Sequence, residues 1–290
     1  MATRLGGQLE KIVLNRIATD RLAIPLPPGT ATTCQTLAVD PECPLDEIVS
    51  TVERDPVLAV QVMRAVDGVG YTASEPSETL AQAVRRLGAE SIKSLLLELA
   101  TRKLHRSRNE TINQHVRAMR EHSLAVAMLS RDLSALSGSK EGEVAFLAGL
   151  LHDVGKLVMA AMLLEAEKEF TGPAGGTWID ANEWMETVQQ THRTVAVACA
   201  EKWRLPGPVT DAIRDSGEFD AGNRAAPANF VRFANALAKL QGIYVGPVDR
   251  GDAAALMMVG RSLLGLDDVI IERLSTDLKE RTRKLLDWSS

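Results

Sequence analysis

Between Val116 and Leu136 the residues Val116, Met119, His122, Val126, Leu129, Leu133 and Leu136 recur at three- and four-residue intervals. Nothing else in the sequence constrains the fold as strongly. A stripe at that spacing covers one face of a helix with a period of 3.6 residues, and a helix of that length needs other helices to cover the face. It also turns His122 toward the interior, where an imidazole needs a partner. A second segment, AFLAGLLHDVGKL at 145–157, places His152 and Asp153 side by side in an otherwise apolar, small-residue pattern. Ala145, Ala148 and Gly149 share a helical face with His152 and leave room for a neighbouring backbone to come close. Lys156 follows Asp153 by three residues, near enough to pair with its carboxylate. Two imidazoles with an adjacent carboxylate suit either a metal site or a set of hydrogen-bonded core groups, and residue types alone leave both open.

The rest of the chain reads as helices. A weak amphipathic pattern occupies 1–21, and LAIPLPPGTAT then reads as extended because Pro25, Pro27 and Pro28 block a helix. Helical patterns follow from Pro44 to Arg54 and again from Asp55-Pro56, where Asp55 suits a cap and Pro56 a first helical position. DGVGYTASEPSE reads as a turn, Thr79 to Gln82 as a capping box, and Gly88 as a helix stop before another helix over 91–103. The His-Asp segment is expected as one helix over 143–163, with TGPAGG at 171–176 closing its hairpin. Asp180 to Glu183 starts a helix running to Trp203, a short helix begins at Val209, and 214–228 reads as an exposed loop. FVRFANALAKL at 230–240 resumes the helical pattern, and two more helices are expected near 251–264 and 267–287.

With 4% aromatic residues and abundant Ala and Leu in helical register, a sandwich or barrel is disfavoured and an all-α fold expected. A net charge of -5 argues against nucleic acid as a partner. One basic stretch, Arg102, Lys103, Arg106, Arg108, Arg117 and Arg120, faces the single acid Glu110; a solvated connector is the favoured reading and a phosphate contact the other. Cys34, Cys43 and Cys199 lack paired close spacing and read as free thiols. No apolar run reads as a membrane span of roughly 20 residues and no apolar signal core is present, so a cytoplasmic protein without a membrane partner is expected.

LPP at 26–28, ERDPVLAVQVMRAVD, ETLAQAVRRLG, EHSLAVAMLS, AFLAGLLHDVGKL, THRTVAVACAEKWRLP and FANALA occur in that order. Together they resemble the HDOD domain, a branch of the HD superfamily of metal-dependent phosphohydrolases. The resemblance implies a two-lobed, all-helical fold with an HD-type C-terminal lobe, and a role in bacterial signal transduction. No enzymatic activity is established for that family as a whole. The resemblance covers roughly residues 20 to 245, and the chain is expected to divide into a tail or helix over 1–20, an HDOD-like domain with an N-terminal lobe over 21–105 and an HD-like lobe over 106–245, and C-terminal helices over 246–290 packed on the latter. By the same resemblance, His122, His152 and Asp153 stand at metal positions, and His192 matches a histidine of relatives.

Two departures bear on chemistry. Where HD hydrolases place a final Asp, this chain has Asn235, a weaker ligand, and where many relatives carry a His pair it has Arg214, Asp215 and Ser216. The expectation is therefore a regulatory module with no catalytic residue, acting through an unidentified signalling protein or a ligand. One alternative is a phosphohydrolase holding one divalent ion on His122, His152 and Asp153, with Asn235 or water completing the shell. Another is a nucleotide sensor using 102–120 and Lys156 without hydrolysis, although the favoured role of Lys156 is a structural pair with Asp153.

Overall fold

Helix starts that the sequence marks with a side-chain acceptor are used in the computed structural model of the chain. Asp55 Oδ1 accepts from the amides of Val57 and Leu58 at 2.8 and 3.0 Å. Thr79 Oγ1 accepts from Gln82 N, while the Gln82 side chain reaches back to Glu78 N. Asn109 and Asp180 close the first turns that follow them in the same way. Each such cap satisfies amides that the helix itself cannot pair.

The structure describes residues 2–286 apart from 20, 23, 69–76, 102–103, 105, 172–177 and 277. The expected turns in DGVGYTASEPSE and TGPAGG lie largely or wholly outside the described residues. The helices are α1 (Ala2–Ala18), α2 (Pro28–Val39), α3 (Leu45–Val52), α4 (Pro56–Gly68), α5 (Leu80–Ala100), α6 (Glu110–Leu136) and α7 (Gly142–Leu151). They continue with α8 (Val154–Thr171), α9 (Ala181–Lys202), α10 (Gly207–Asp215), α11 (Pro227–Leu240), α12 (Arg250–Leu264), α13 (Asp268–Thr276) and α14 (Leu278–Leu286). Among the described residues there is no strand, and the fold is all-α.

Helix α6 is the axis of the molecule. Its stripe from Val116 to Leu133 is buried, His122 included, and only Leu136 at the end stands out at 50% exposure. α4, α7, α8, α9, α11 and α14 all touch α6. Helices α2, α3 and α4 pack on α5, and α1 lies against α8 and α9.

Two expectations need correction. The segment through Thr32 is not extended: α2 begins at Pro28, whose fixed φ and missing N–H suit a first helical turn. The helix expected over 143–163 is two helices, because the chain breaks at His152-Asp153. As expected, Gly88 ends a helical run: its backbone is non-helical (φ 77°, ψ 166°), and α5 is two helices joined across a kink there. The stretch expected as one helix over 267–287 is described as α13 and α14, separated only by residue 277, which lies outside the described residues. In addition, the stretch Gly142–Thr171 contains an 18-residue window apolar enough by composition to cross a membrane; 94% of that window is buried inside the fold and serves as core.

Small residues around the break set how closely the helices approach. A Cβ on Gly149 would lie 2.9 Å from Ala127 Cα in α6, and one on Gly155 would collide with the backbone carbonyl of His192 in α9. Gly155→Ala is therefore expected to destabilise by about 1–3 kcal/mol or more, the cost of overpacking a core whose obstacle is backbone. Urea denaturation should show a larger loss for Gly155→Ala than for Gly7→Ala, where an added Cβ meets nothing within 4 Å.

Candidate functional site

The break between α7 and α8 is where the chemistry gathers. α6 delivers His122, the break delivers His152 and Asp153, the first turn of α8 adds Lys156, and α9 adds His192. The three imidazoles share one arrangement. Nδ1 of His122 meets Ile243 O at 2.7 Å, Nδ1 of His152 meets Gly149 O at 2.8 Å, and Nδ1 of His192 meets Gln189 O at 2.6 Å. A carbonyl can only accept, so each Nδ1 carries the proton and each Nε2 keeps a lone pair. Those lone pairs converge on one carboxylate: His122 and His152 Nε2 lie 3.7 and 3.4 Å from Asp153 Oδ2, and His192 Nε2 lies 3.5 Å from Oδ1.

Lone pairs facing a carboxylate call for positive charge between them. Lys156 supplies it, with Nζ 2.5 Å from Asp153 Oδ2 and 3.3 Å from the Tyr244 hydroxyl. The Tyr244 ring covers the group, edge-on to His122 at 5.0 Å and under the Lys156 ammonium at 4.7 Å. Burial alone would push Asp153 up, but the surrounding cationic side chains hold it well below the usual carboxylate range. With the imidazoles neutral, Lys156 is the contact that remains to do this. Burial also drives the histidines down, His122 to about 3, and Asp153 only partly opposes it. Lys156 is pressed down by burial yet ends above its ordinary value because of Asp153 and Tyr244.

A histidine whose folded pKa lies below its unfolded value loses stability as pH falls, since the unfolded chain binds the proton more readily. His122, His152 and His192 shift in this direction together. Thermal unfolding followed from pH 7 to pH 4 should show the melting temperature starting to fall near pH 6, above the range where surface carboxylates titrate.

The donor atoms of His122, His152 and Asp153 lie within 4.8 Å of one another and could hold a metal. The buried Nε2 atoms of His122 and His152 have no hydrogen-bond partner among the described residues, which fits a single ion at this point. The positions where relatives carry a His pair offer no imidazole here: Arg214 pairs with Asp211 and Glu201, and Ser216 Oγ takes a hydrogen bond from Arg193. Asn235 lines the same cavity as His152 and Asp153, its Oδ1 buried and unpartnered. That cavity measures about 320 Å³, and its walls also carry Arg193, Arg232 and Lys239.

The sequence reading singled out His122, His152, Asp153, Lys156, His192 and Asn235. The first five meet around one carboxylate, and Asn235 faces the adjoining cavity. It passed over Tyr244, the Ile243 carbonyl, Arg232 and Lys239. A signal for the last two was present, because Arg232, Asn235 and Lys239 fall at positions i, i+3 and i+7 of an otherwise apolar helix. The described residues of the basic stretch do not form a single surface. Arg102 and Lys103 lie outside the described residues, Arg106 and Arg117 sit 3.2 and 3.7 Å from Glu110, and Arg120 is buried against Asp55. None of the described ones lines the cavity.

An uncharacterized protein of Treponema pallidum (strain Nichols) is 23% identical over 197 residues, covering 66% of this chain and 37% of that protein. This chain thus spans little more than a third of that relative. Among solved structures, the MmoQ response regulator of Methylococcus capsulatus str. Bath is similar with a TM-score of 0.64 at 20% identity, over 87% of this chain and 98% of that one. A fragment of MmoQ gives 0.62 at 20% identity, over 87% and 94%. At such identities the likeness is one of fold, and it agrees with the all-α architecture. Residues 24–219, more than half of the sequence, match the HDOD domain, and this range includes His122, His152, Asp153, Lys156 and His192. The chain belongs to the HDOD domain family.

Proposed function

We propose that this chain is a signalling module that works by binding, with its His-Asp site kept as a structural and ligand-responsive core rather than as a hydrolase. One observation carries the reading. Asp153 Oδ2, the oxygen that His122 and His152 both face, is already bonded to the Lys156 ammonium at 2.5 Å. An ammonium neutralises the carboxylate but cannot lower the pKa of a bound water as a Lewis acid does, and phosphoester hydrolysis in HD-type sites depends on that. Asn235 in place of an acidic ligand weakens metal binding further. Membership of the HDOD family and the response-regulator role of MmoQ are in keeping with a signalling role, exercised through an associating partner protein.

A second reading has one observation in its favour. The unpartnered Nε2 atoms of His122 and His152 are what a one-metal phosphohydrolase would present to its ion. Purified protein supplied with manganese or magnesium separates the two. Binding without hydrolysis predicts no turnover of nucleotides or phosphomonoesters and a melting temperature unchanged by chelator. Metal-dependent turnover abolished by Asp153→Ala would establish the second reading instead.

A further inference from the structure

We propose that the cavity adjoining the His-Asp group is a binding site for a small oxyanion of the phosphate class, held by Arg193, Arg232 and Lys239. The inference rests on the binding reading above and names the kind of ligand it would take. The three cations come from α9 and α11 and line one cavity of about 320 Å³ with His152, Asp153 and Asn235 at its inner side. Among the described residues none of the three has a carboxylate within ion-pairing distance. Arg193 Nη2 donates to Ser216 Oγ at 3.4 Å, and Arg232 Nη1 donates to Ser216 O at 3.2 Å. Both guanidinium groups therefore reach the same residue, Ser216, and spend only part of their donor capacity there.

Arg232 Nε is buried without a partner, and Lys239 is only partly exposed with its ammonium 4.9 Å from the centre of the Tyr244 ring. Asp249 and Asp252 line the α12 side of the cavity but form no ion pair with these cations, and Asp249 Oδ1 is occupied by the amide of Asp252. Like charges act on them: burial and then Arg193 lower Arg232, and burial and then Lys156 lower Lys239, with Asp252 opposing both only in part. Partly desolvated cations that crowd one another, with donors to spare, are stabilised by a multivalent anion, and guanidinium groups match the geometry of phosphate oxygens. Inner Lys156 is committed to Asp153 and leaves the three outer cations as the anion's contacts.

Size narrows the ligand. Small-molecule pockets run from about 300 to 1,000 Å³, so this cavity takes inorganic phosphate, a sugar phosphate or a mononucleotide and leaves no room to enclose a dinucleotide. Arg232, Lys239 and the α12 wall all lie beyond residue 219, where the match to the family ends. The site thus joins Arg193 and Ser216, inside the matched range, to residues beyond it.

The test is isothermal titration of the full chain with sodium phosphate, glycerol phosphate and adenosine monophosphate, against sodium chloride at equal ionic strength. Saturable binding of at least one phosphate compound is expected, weakened at least tenfold by Arg232→Met and by Lys239→Met and unaffected by Arg214→Gln, which lies away from the cavity. Removing a crowded charge should not unfold the chain; should either variant fail to fold, Arg193→Gln, at an exposed position, replaces it with the same expectation. Tighter binding of an ester than of phosphate assigns the site to a phosphorylated metabolite, and equal binding assigns it to free phosphate. No saturable binding beyond chloride, or binding indifferent to the cavity substitutions, overturns the proposal. Inorganic phosphate cannot be hydrolysed, so its binding stands or falls separately from the turnover assay that tests the proposed function.

Discussion

Arg120→Ala is expected to cost about 3–5 kcal/mol, because it strands a buried carboxylate without its counter-charge. Arg120 and Asp55 form an ion pair in which Asp55 has no exposure and Arg120 only 8%. Thr30 joins them: its hydroxyl donates to Asp55 Oδ2 at 3.0 Å and accepts from Arg120 Nη2 at 3.0 Å. Asp55 Oδ1 meanwhile caps α4. One carboxylate thus holds the start of α4, the first turn of α2 and the middle of α6 together. Loss of the guanidinium leaves that carboxylate hydrogen-bonded but unbalanced, a few ångströms from apolar core. Urea unfolding should place Arg120→Ala far below wild type, while Arg117→Ala, removing an exposed partner of Glu110, should change stability by at most about 1 kcal/mol. Adding Asp55→Asn to Arg120→Met should recover part of the loss, since the buried charge is gone while the amide oxygen can still cap α4. Equal losses for Arg120→Ala and Arg117→Ala would show that the buried pair contributes nothing special.

What was legible in the sequence follows from which interactions are local. The α6 stripe, the Asp55, Thr79 and Asp180 caps and the Asp153–Lys156 pair all depend on residues within one turn or one face, and period and spacing read them. The break at His152 escaped because apolar residues continue through it. The helix ends there through the His152 imidazole, which bonds back to Gly149 O, and periodicity does not register a side chain that caps its own helix. Pro28 was read as a block when its position made it a first-turn residue, a distinction that depends on where the helix begins rather than on proline itself. Tyr244 and the Ile243 carbonyl belong to the site only because the turn after α11 folds back over α6, and nothing near residue 243 in sequence announces His122. Arg120 reads with a solvated basic stretch because its partner, Asp55, sits at the start of a different helix, far back in the sequence.

The same electrostatics make Asp153→Ala the sharpest test of what occupies the His-Asp site. Lys156 is 4% exposed, and without Asp153 its ammonium keeps only the Tyr244 hydroxyl and ring. Stranding that charge should cost about 3–5 kcal/mol at neutral pH. The pH dependence identifies the cause. In wild type, Asp153 has a depressed pKa, so its contribution is present above the ordinary carboxylate range and is lost as pH falls toward its folded value. Lys156 is raised, so its contribution is present below its ordinary 10.5 and is lost only as pH rises through the folded value. Stability from the pair is therefore flat across neutral pH. In Asp153→Ala the raising partner is gone and burial pushes Lys156 down; the unfolded chain then binds the proton more readily, and stability rises with pH. The gap to wild type should narrow from pH 7 to pH 10, and Lys156→Met added to Asp153→Ala should remove most of it at every pH. If Asp153 instead serves mainly to hold a metal, chelation of wild type would reproduce the loss and the second substitution would recover nothing. Melting curves of the three proteins at two pH values, with and without chelator, thus decide whether the ammonium or an ion is the cation that Asp153 was retained to face.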